Sequence, residues 1–170
     1  MADLQKAEIV GTPALDGQYI GEMDIWPFEA PEFNRIYPFF DNLRAGKFTT
    51  TKCKKCGYIM FPPQVICPKC WAEELEWVEL PQKAKVVTLT ETQAGAPIGF
   101  EPPLIIAWLT FGDKGPLKHL LARIIHCKEG ELKEGDEVKF VTFSVPSHPF
   151  EVKKDTKVSD RIYYAFEPVK

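Results

Sequence analysis

Apolar and polar positions alternate along the second half of the chain in a way that predicts strands. Residues 137–145 (E-V-K-F-V-T-F-S-V) alternate cleanly, 84–93 (A-K-V-V-T-L-T-E-T-Q) are β-branched and partly alternating, and 104–111 (L-I-I-A-W-L-T-F) form an apolar run. Residues 117–127 fit helix or strand, and the tight turns on either side favour strand. A last strand is expected at 161–166 after a polar stretch at 151–160. Turn-rich segments separate these runs at Ala94–Pro103, Gly112–Pro116 and Leu132–Val138. Five strands with a long connection before the fifth predict a small five-stranded Greek-key barrel, the OB-fold, over residues 81–170.

The first half reads differently. Residues 1–32 have no sustained period and form an N-terminal arm, expected to be mostly extended, that carries Tyr19, Trp26 and Phe28. In the helical segment 33–48, Phe33, Ile36, Tyr37, Phe40 and Leu43 fall at helical spacing. Pro38 suits a first turn, so the helix is expected from Pro38 to Gly46, with a separate turn at 33–36. Its aromatic face either packs on the body of the protein or docks on another chain. Residues 49–80 hold a motif and a connector, Trp71 to Pro81, anchored by Trp77, Val78 and Leu80.

That motif is C-K-K-C-G-Y-I-M-F-P-P-Q-V-I-C-P-K-C, from Cys53 to Cys70. Two residues between the cysteines of each pair let a tight turn aim both thiolates at one point. Two facing turns then complete a tetrahedral S4 site for structural zinc from Cys53, Cys56, Cys67 and Cys70. Gly57 accepts the positive φ needed to leave the first turn. Tyr58, Ile59 and Phe61, with Val65 and Ile66, read as two short strands around Pro62-Pro63. Four thiolates close the cage, so the metal is expected to fold the ribbon and not to catalyse. Iron fits the same cage chemically. Two disulfides fit poorly, because the fifth cysteine, Cys127, makes the count odd.

Composition narrows the class. Apolar content of 45% and charged content of 26% are those of a globular protein. No apolar run approaches eighteen residues and the N-terminus has no signal-peptide core, so no membrane is expected and the cytoplasm is. Net charge is −3, yet residues 47–72 carry five lysines and no acid, while residues 1–46 carry eight acids and three bases. The lysines are read as support for thiolates around a formally doubly negative metal site. Residues 73–170 hold sixteen acids against thirteen bases, a poor groove for single-stranded nucleic acid. Trp108 and Phe111 lie in apolar runs and are expected in the core. His119, His126 and His148 stand alone, Cys127 ends an apolar run, and no nucleophile-elbow, Walker or Rossmann pattern is present. No catalytic residue is assigned.

The order of these parts carries a resemblance. A short aromatic helix (Pro38-Phe39-Phe40 through Leu43-Arg44-Ala45-Gly46-Lys47-Phe48) leads into C-x2-C-G and C-P-x-C. G-F-x-P-P (Gly99–Pro103) then precedes an apolar strand, and L-x-x-G-x-x-V (Leu132, Gly135, Val138) lies near the end. Over about residues 33–166 the chain resembles the DUF35 family. The resemblance implies a mainly β protein: an N-terminal helical segment, a rubredoxin-like zinc ribbon, then a five-stranded OB-fold barrel. It also implies a non-catalytic subunit that takes up CoA or an acyl thioester. The partner would be a thiolase-like or hydroxymethylglutaryl-CoA synthase-like enzyme, met through the 33–46 helical segment. Under it, Lys114, Lys118 and Arg123 are the candidate cations for the phosphates of CoA. The alternative is a zinc-ribbon/OB-fold protein that binds single-stranded nucleic acid.

Overall fold

The computed structural model describes residues 35–93, 102–113, 116–145, 150–152, 155–157 and 161–169, and Pro38 near the start and Gly46 just past the end delimit the one helix among them. The helix α1 spans Tyr37–Arg44. Gly46 has φ +70°, and the amides of Gly46 and Lys47 donate to the carbonyls of Leu43 and Asn42 at 2.9 and 2.8 Å, closing the helix end. Phe39 and Leu43 are buried, so the inward side of the aromatic face serves the core; Tyr37 and Phe40 are half-buried. The expected docking position Phe33 lies outside the described residues.

The ribbon is a three-stranded antiparallel sheet in the order β2-β1-β3, with β1 Thr49–Cys53, β2 Ile59–Met60 and β3 Leu75–Glu79. Two expectations are corrected here. Val65 and Ile66 form no strand. Instead the amide of Gln64 donates to Thr51 Oγ1 at 3.0 Å, and Thr51 Oγ1 donates back to the Gln64 carbonyl at 3.1 Å, holding that segment as a loop. The connector is not irregular either, because its residues 75–79 pair along all of β1, from Thr49↔Glu79 to Cys53↔Leu75. Thr49, Thr50 and Thr51 are buried, yet their hydroxyls are used: Asn42 Nδ2 donates to Thr49 Oγ1 at 3.0 Å and Thr50 Oγ1 donates to the Met60 carbonyl.

The barrel strands are β4 Lys83–Thr92, β5 Leu104–Thr110, β6 His119–Ile124, β7 Glu137–Val145 and β10 Arg161–Pro168. They close in the order β10-β6-β5-β4-β7, with β10 parallel to β6 and every other pair antiparallel. This is the strand order of an OB-fold. The polar stretch at 151–160 is not featureless: β8 Phe150–Val152 pairs with β9 Asp155–Lys157 as a hairpin. The expected loop at 94–103 falls almost wholly outside the described residues.

Inside the barrel, alternation sends Val86, Ile105, Ala107, Leu109, Leu120, Ala122, Ile124, Val138 and Phe166 inward. Trp108 therefore points outward, against expectation, and is 41% exposed; the apolar run hid a strand whose odd-numbered positions face the core. Phe111 packs against the core as expected. Phe48 and Phe61, contributed from the ribbon side, enter the same cluster. Phe48 contacts the rings of Phe61, Phe140, Tyr164 and Phe166, and Phe61 reaches Phe39 of α1. Helix, ribbon and barrel thus share one aromatic joint.

Candidate metal centre and barrel face

Each cysteine pair is held by the same backbone device. The Gly57 amide donates to the Cys53 carbonyl at 2.9 Å, and the Trp71 amide donates to the Cys67 carbonyl at 2.9 Å. The Cys53 and Cys67 amides in turn donate to the carbonyls of Tyr58 and Ala72. The residue after each pair has a positive φ: Gly57 at +72° and Trp71 at +60°. For a bulky side chain this backbone region costs on the order of 1–3 kcal/mol, so the second turn is strained where the first is not.

These turns bring four sulfurs within 4.8 Å of one another. Cys53 Sγ lies 3.6 Å from Cys70 Sγ, and Cys56 Sγ lies 3.6 Å from Cys67 Sγ. A tetrahedral Zn–S distance of about 2.3 Å places sulfurs about 3.8 Å apart, so the set fits one metal ion with every position taken by thiolate. Cys53 and Cys67 are fully buried, and Cys56 is exposed. Burial opposes ionisation of Cys67, but the amides of Lys69 and Cys70 and the thiols of Cys56 and Cys70 outweigh it and bring it down to about 7. At Cys70 the Ala72 amide favours thiolate, while burial and the three other sulfurs push it up to about 12. Without a cation the four sulfurs cannot all ionise; a divalent metal resolves that conflict. Lys52 pairs with Glu76 at 3.1 Å, and Lys69 lies over the Tyr58 ring at 5.2 Å.

The candidate CoA cations are not gathered at one point. Lys114 lies outside the described residues. Lys118, exposed, precedes β6, and Arg123 stands near its other end, five residues on, or about 16 Å at strand rise. The Arg123 guanidinium sits 5.3 Å from the centre of the Phe143 ring, and Phe143 stacks on Tyr163 at 5.6 Å. Burial lowers the Arg123 pKa, though a guanidinium stays charged at neutral pH. Between the two cations lies a feature that the apolar run concealed. Trp108 stacks on His119 with centroids 5.7 Å apart and planes 14° from parallel, beside Leu121, which is 57% exposed. This is the outer face of the second and third barrel strands.

Among the described residues no histidine pairs with Cys127. His126 Nδ1 meets Glu167 Oε2 at 2.5 Å, and Glu167 also takes Lys139 Nζ at 3.0 Å. Burial, followed by Glu131 and Glu91, pushes the Cys127 thiol up, which favours the unreactive form. No helix among the described residues is long and apolar enough to cross a membrane.

Residues 40–76 match the family model of the ChsH2 rubredoxin-like zinc ribbon domain, a span that contains all four cysteines. A DUF35 domain-containing scaffold protein of Pyrococcus furiosus is 36% identical over 95 residues, covering 54% of this chain and 65% of that one. Over this span the chain is similar to DUF35 domain proteins. A second DUF35 domain-containing scaffold protein, from Methanocaldococcus jannaschii, is 33% identical over 53% of this chain and 63% of its own length. The match thus spans a little under two thirds of either DUF35 relative. Benzoylsuccinyl-CoA thiolase subunit BbsA of Thauera aromatica is 41% identical over 52 residues, 31% of this chain and 36% of that subunit. Among solved structures, the Ltp2-ChsH2(DUF35) aldolase superposes with a TM-score of 0.57 over 82% of this chain and 98% of that one, at 18% identity. That likeness bears on the DUF35 fold alone.

Proposed function

We propose that this protein is a non-catalytic accessory subunit of an acyl-CoA enzyme, thiolase-like or hydroxymethylglutaryl-CoA synthase-like, and that it takes up CoA or the acyl thioester. The observation that carries the reading is the similarity to a subunit of a CoA thiolase. The chemistry on the chain agrees with an accessory role. The sulfur cage leaves no metal position for substrate, the Cys127 thiol is held protonated, and His126 is engaged by Glu167. Cys53, Cys56, Cys67 and Cys70 hold one structural zinc, which orders an element whose own apolar cluster is small: Met60 and Ala72 besides cysteine. The half-buried rings of Tyr37 and Phe40 on α1 offer contact to the partner enzyme. Free thiols held for a metal suit a reducing compartment such as the cytoplasm.

CoA has anionic phosphates at its nucleotide end and a long neutral arm. Lys118 at one end of β6 and Arg123 near the other, together with Lys114 outside the described residues, are the cations assigned to it, with Trp108 as a ring on which adenine stacks. The same exposed Trp108 favours a second reading, single-stranded nucleic acid, because bases stack on such platforms whatever their sequence. Calorimetry with acetyl-CoA and with a short single-stranded oligonucleotide, at matched salt, separates the two. Heat from acetyl-CoA, alone or beside the partner enzyme, supports the first reading. Oligonucleotide binding that weakens steeply with salt, with no response to CoA, replaces it with the second.

A further inference from the structure

The metal end of the ribbon exposes what a folded domain normally covers. Trp71 is 79% exposed, and Tyr58 and Ile66 are 39% and 38% exposed. Trp71 occupies the position that Gly57 holds in the first turn, with φ +60° against +72°, so the backbone there suits glycine and carries the largest side chain instead. Around these groups stand the exposed lysines Lys54, Lys55 and Lys69. The end is therefore apolar and cationic at once.

The chain contains a segment of the opposite character. Residues 1–34 carry seven acids (Asp3, Glu8, Asp16, Glu22, Asp24, Glu29, Glu32) against one base, Lys6, and include Tyr19, Trp26, Phe28 and Phe33. Their point of attachment is also known. Arg35 Nη1 pairs with Glu73 Oε2 at 3.2 Å, and Glu73 follows Trp71 by two residues. The Lys54 amide donates to the Glu74 carbonyl at 2.9 Å, which brings the first turn to the same place. Arg35, the first described residue, thus lies beside both metal turns. At about 3.3 Å per extended residue, a few residues reach Trp71 and thirty-four are ample.

We propose that the metal end of the ribbon is the docking surface for this chain's own acidic N-terminal segment, residues 1–34, with Trp71 as its apolar anchor and Lys54, Lys55 and Lys69 as its cationic rim. The inference does not depend on the CoA reading. Docking would bury the exposed indole and set seven carboxylates against lysines that otherwise face solvent. A partner protein that binds this end would have to displace the segment first.

Hydrogen exchange on the full-length zinc-loaded chain tests the proposal. Amides of residues 18–34 should exchange at least roughly tenfold more slowly than in a free peptide of the same sequence. Trp71→Gly, which keeps the left-handed backbone and removes the ring, should return them to peptide rates. A triple Lys54→Glu, Lys55→Glu, Lys69→Glu change should do the same, as should high salt in part. Zinc content per chain, measured in each variant, establishes that the ribbon is intact in the variant that is read. Peptide-like exchange in the unaltered chain overturns the proposal, as does protection that survives both variants. Protection lost on dilution makes a second copy the occupant, and protection seen only with added enzyme makes it the partner; either contradicts the assignment.

Discussion

Phe48 stacks on Phe140 with ring centroids 4.7 Å apart and planes 18° from parallel, and this pair fastens the ribbon to the barrel. Phe48 is 1% exposed and directly precedes β1, whereas Phe140 lies on β7, so the contact joins parts far apart in sequence. Phe48→Ala should destabilise the whole chain by about 3–5 kcal/mol, the usual cost of truncating a buried Phe. Urea unfolding followed by circular dichroism measures it. A loss below about 1 kcal/mol would mean that the joint is not structural.

Metal removal should act unevenly. Chelation, or Cys53→Ser, should release one zinc per chain and unfold the ribbon, because its own apolar cluster is little more than Met60 and Ala72. Among the described residues thirteen form the barrel's buried cluster, yet two of them, Phe48 and Leu80, lie at the ribbon's two ends. The barrel should therefore persist but melt at a lower temperature. Calorimetry with and without chelator should give one sharp transition for the metal-bound chain and a weaker, lower one without metal.

Stability should also carry an acid-side signature from Glu167. Its carboxyl is held below the usual carboxylate range first by His126 and then by Lys139. A depressed folded-state pKa stabilises the fold above the unfolded value of about 4.3, and that contribution is lost as pH falls through the folded value. Glu167→Gln should lower the urea midpoint at pH 6, and the difference should shrink toward pH 3. An equal difference at both pH values would assign the effect to packing.

Trp108→Ala should cost well under the roughly 3–5 kcal/mol expected of a core tryptophan, since the ring lies on the outer face against His119. The same change should weaken any ring-stacking ligand. Chemical denaturation and ligand calorimetry on one variant read both effects. A core-sized loss would place the ring in the barrel interior.

The barrel is legible in the chain because its strands alternate where one face meets the core and the other meets water. Residues 137–145, which alternate most cleanly, form β7 with the same bounds. The run 104–111 misleads about Trp108 for the reverse reason: apolar residues on both faces erase the period, so the inward set, Ile105, Ala107 and Leu109, emerges only from the register. The four cysteines announce the cage by spacing alone. The ribbon strands beside them do not. Thr49 to Thr51 look like a polar surface run, and their burial depends on hydroxyl partners contributed by Asn42, Met60 and Gln64. The strained position of Trp71 carries one available signal: it follows C-x2-C where the first turn has Gly57.

The central claim, that the chain works as an accessory subunit of an acyl-CoA enzyme, is tested most directly by mild affinity purification of the tagged full-length protein from its native cell, with mass spectrometry and an activity assay on the eluate. The account predicts co-elution at fixed stoichiometry with an enzyme that makes or breaks a carbon–carbon bond of an acyl-CoA, whose turnover falls when this chain is removed. Elution alone, or with nucleic acid that salt and nuclease strip away, would contradict it.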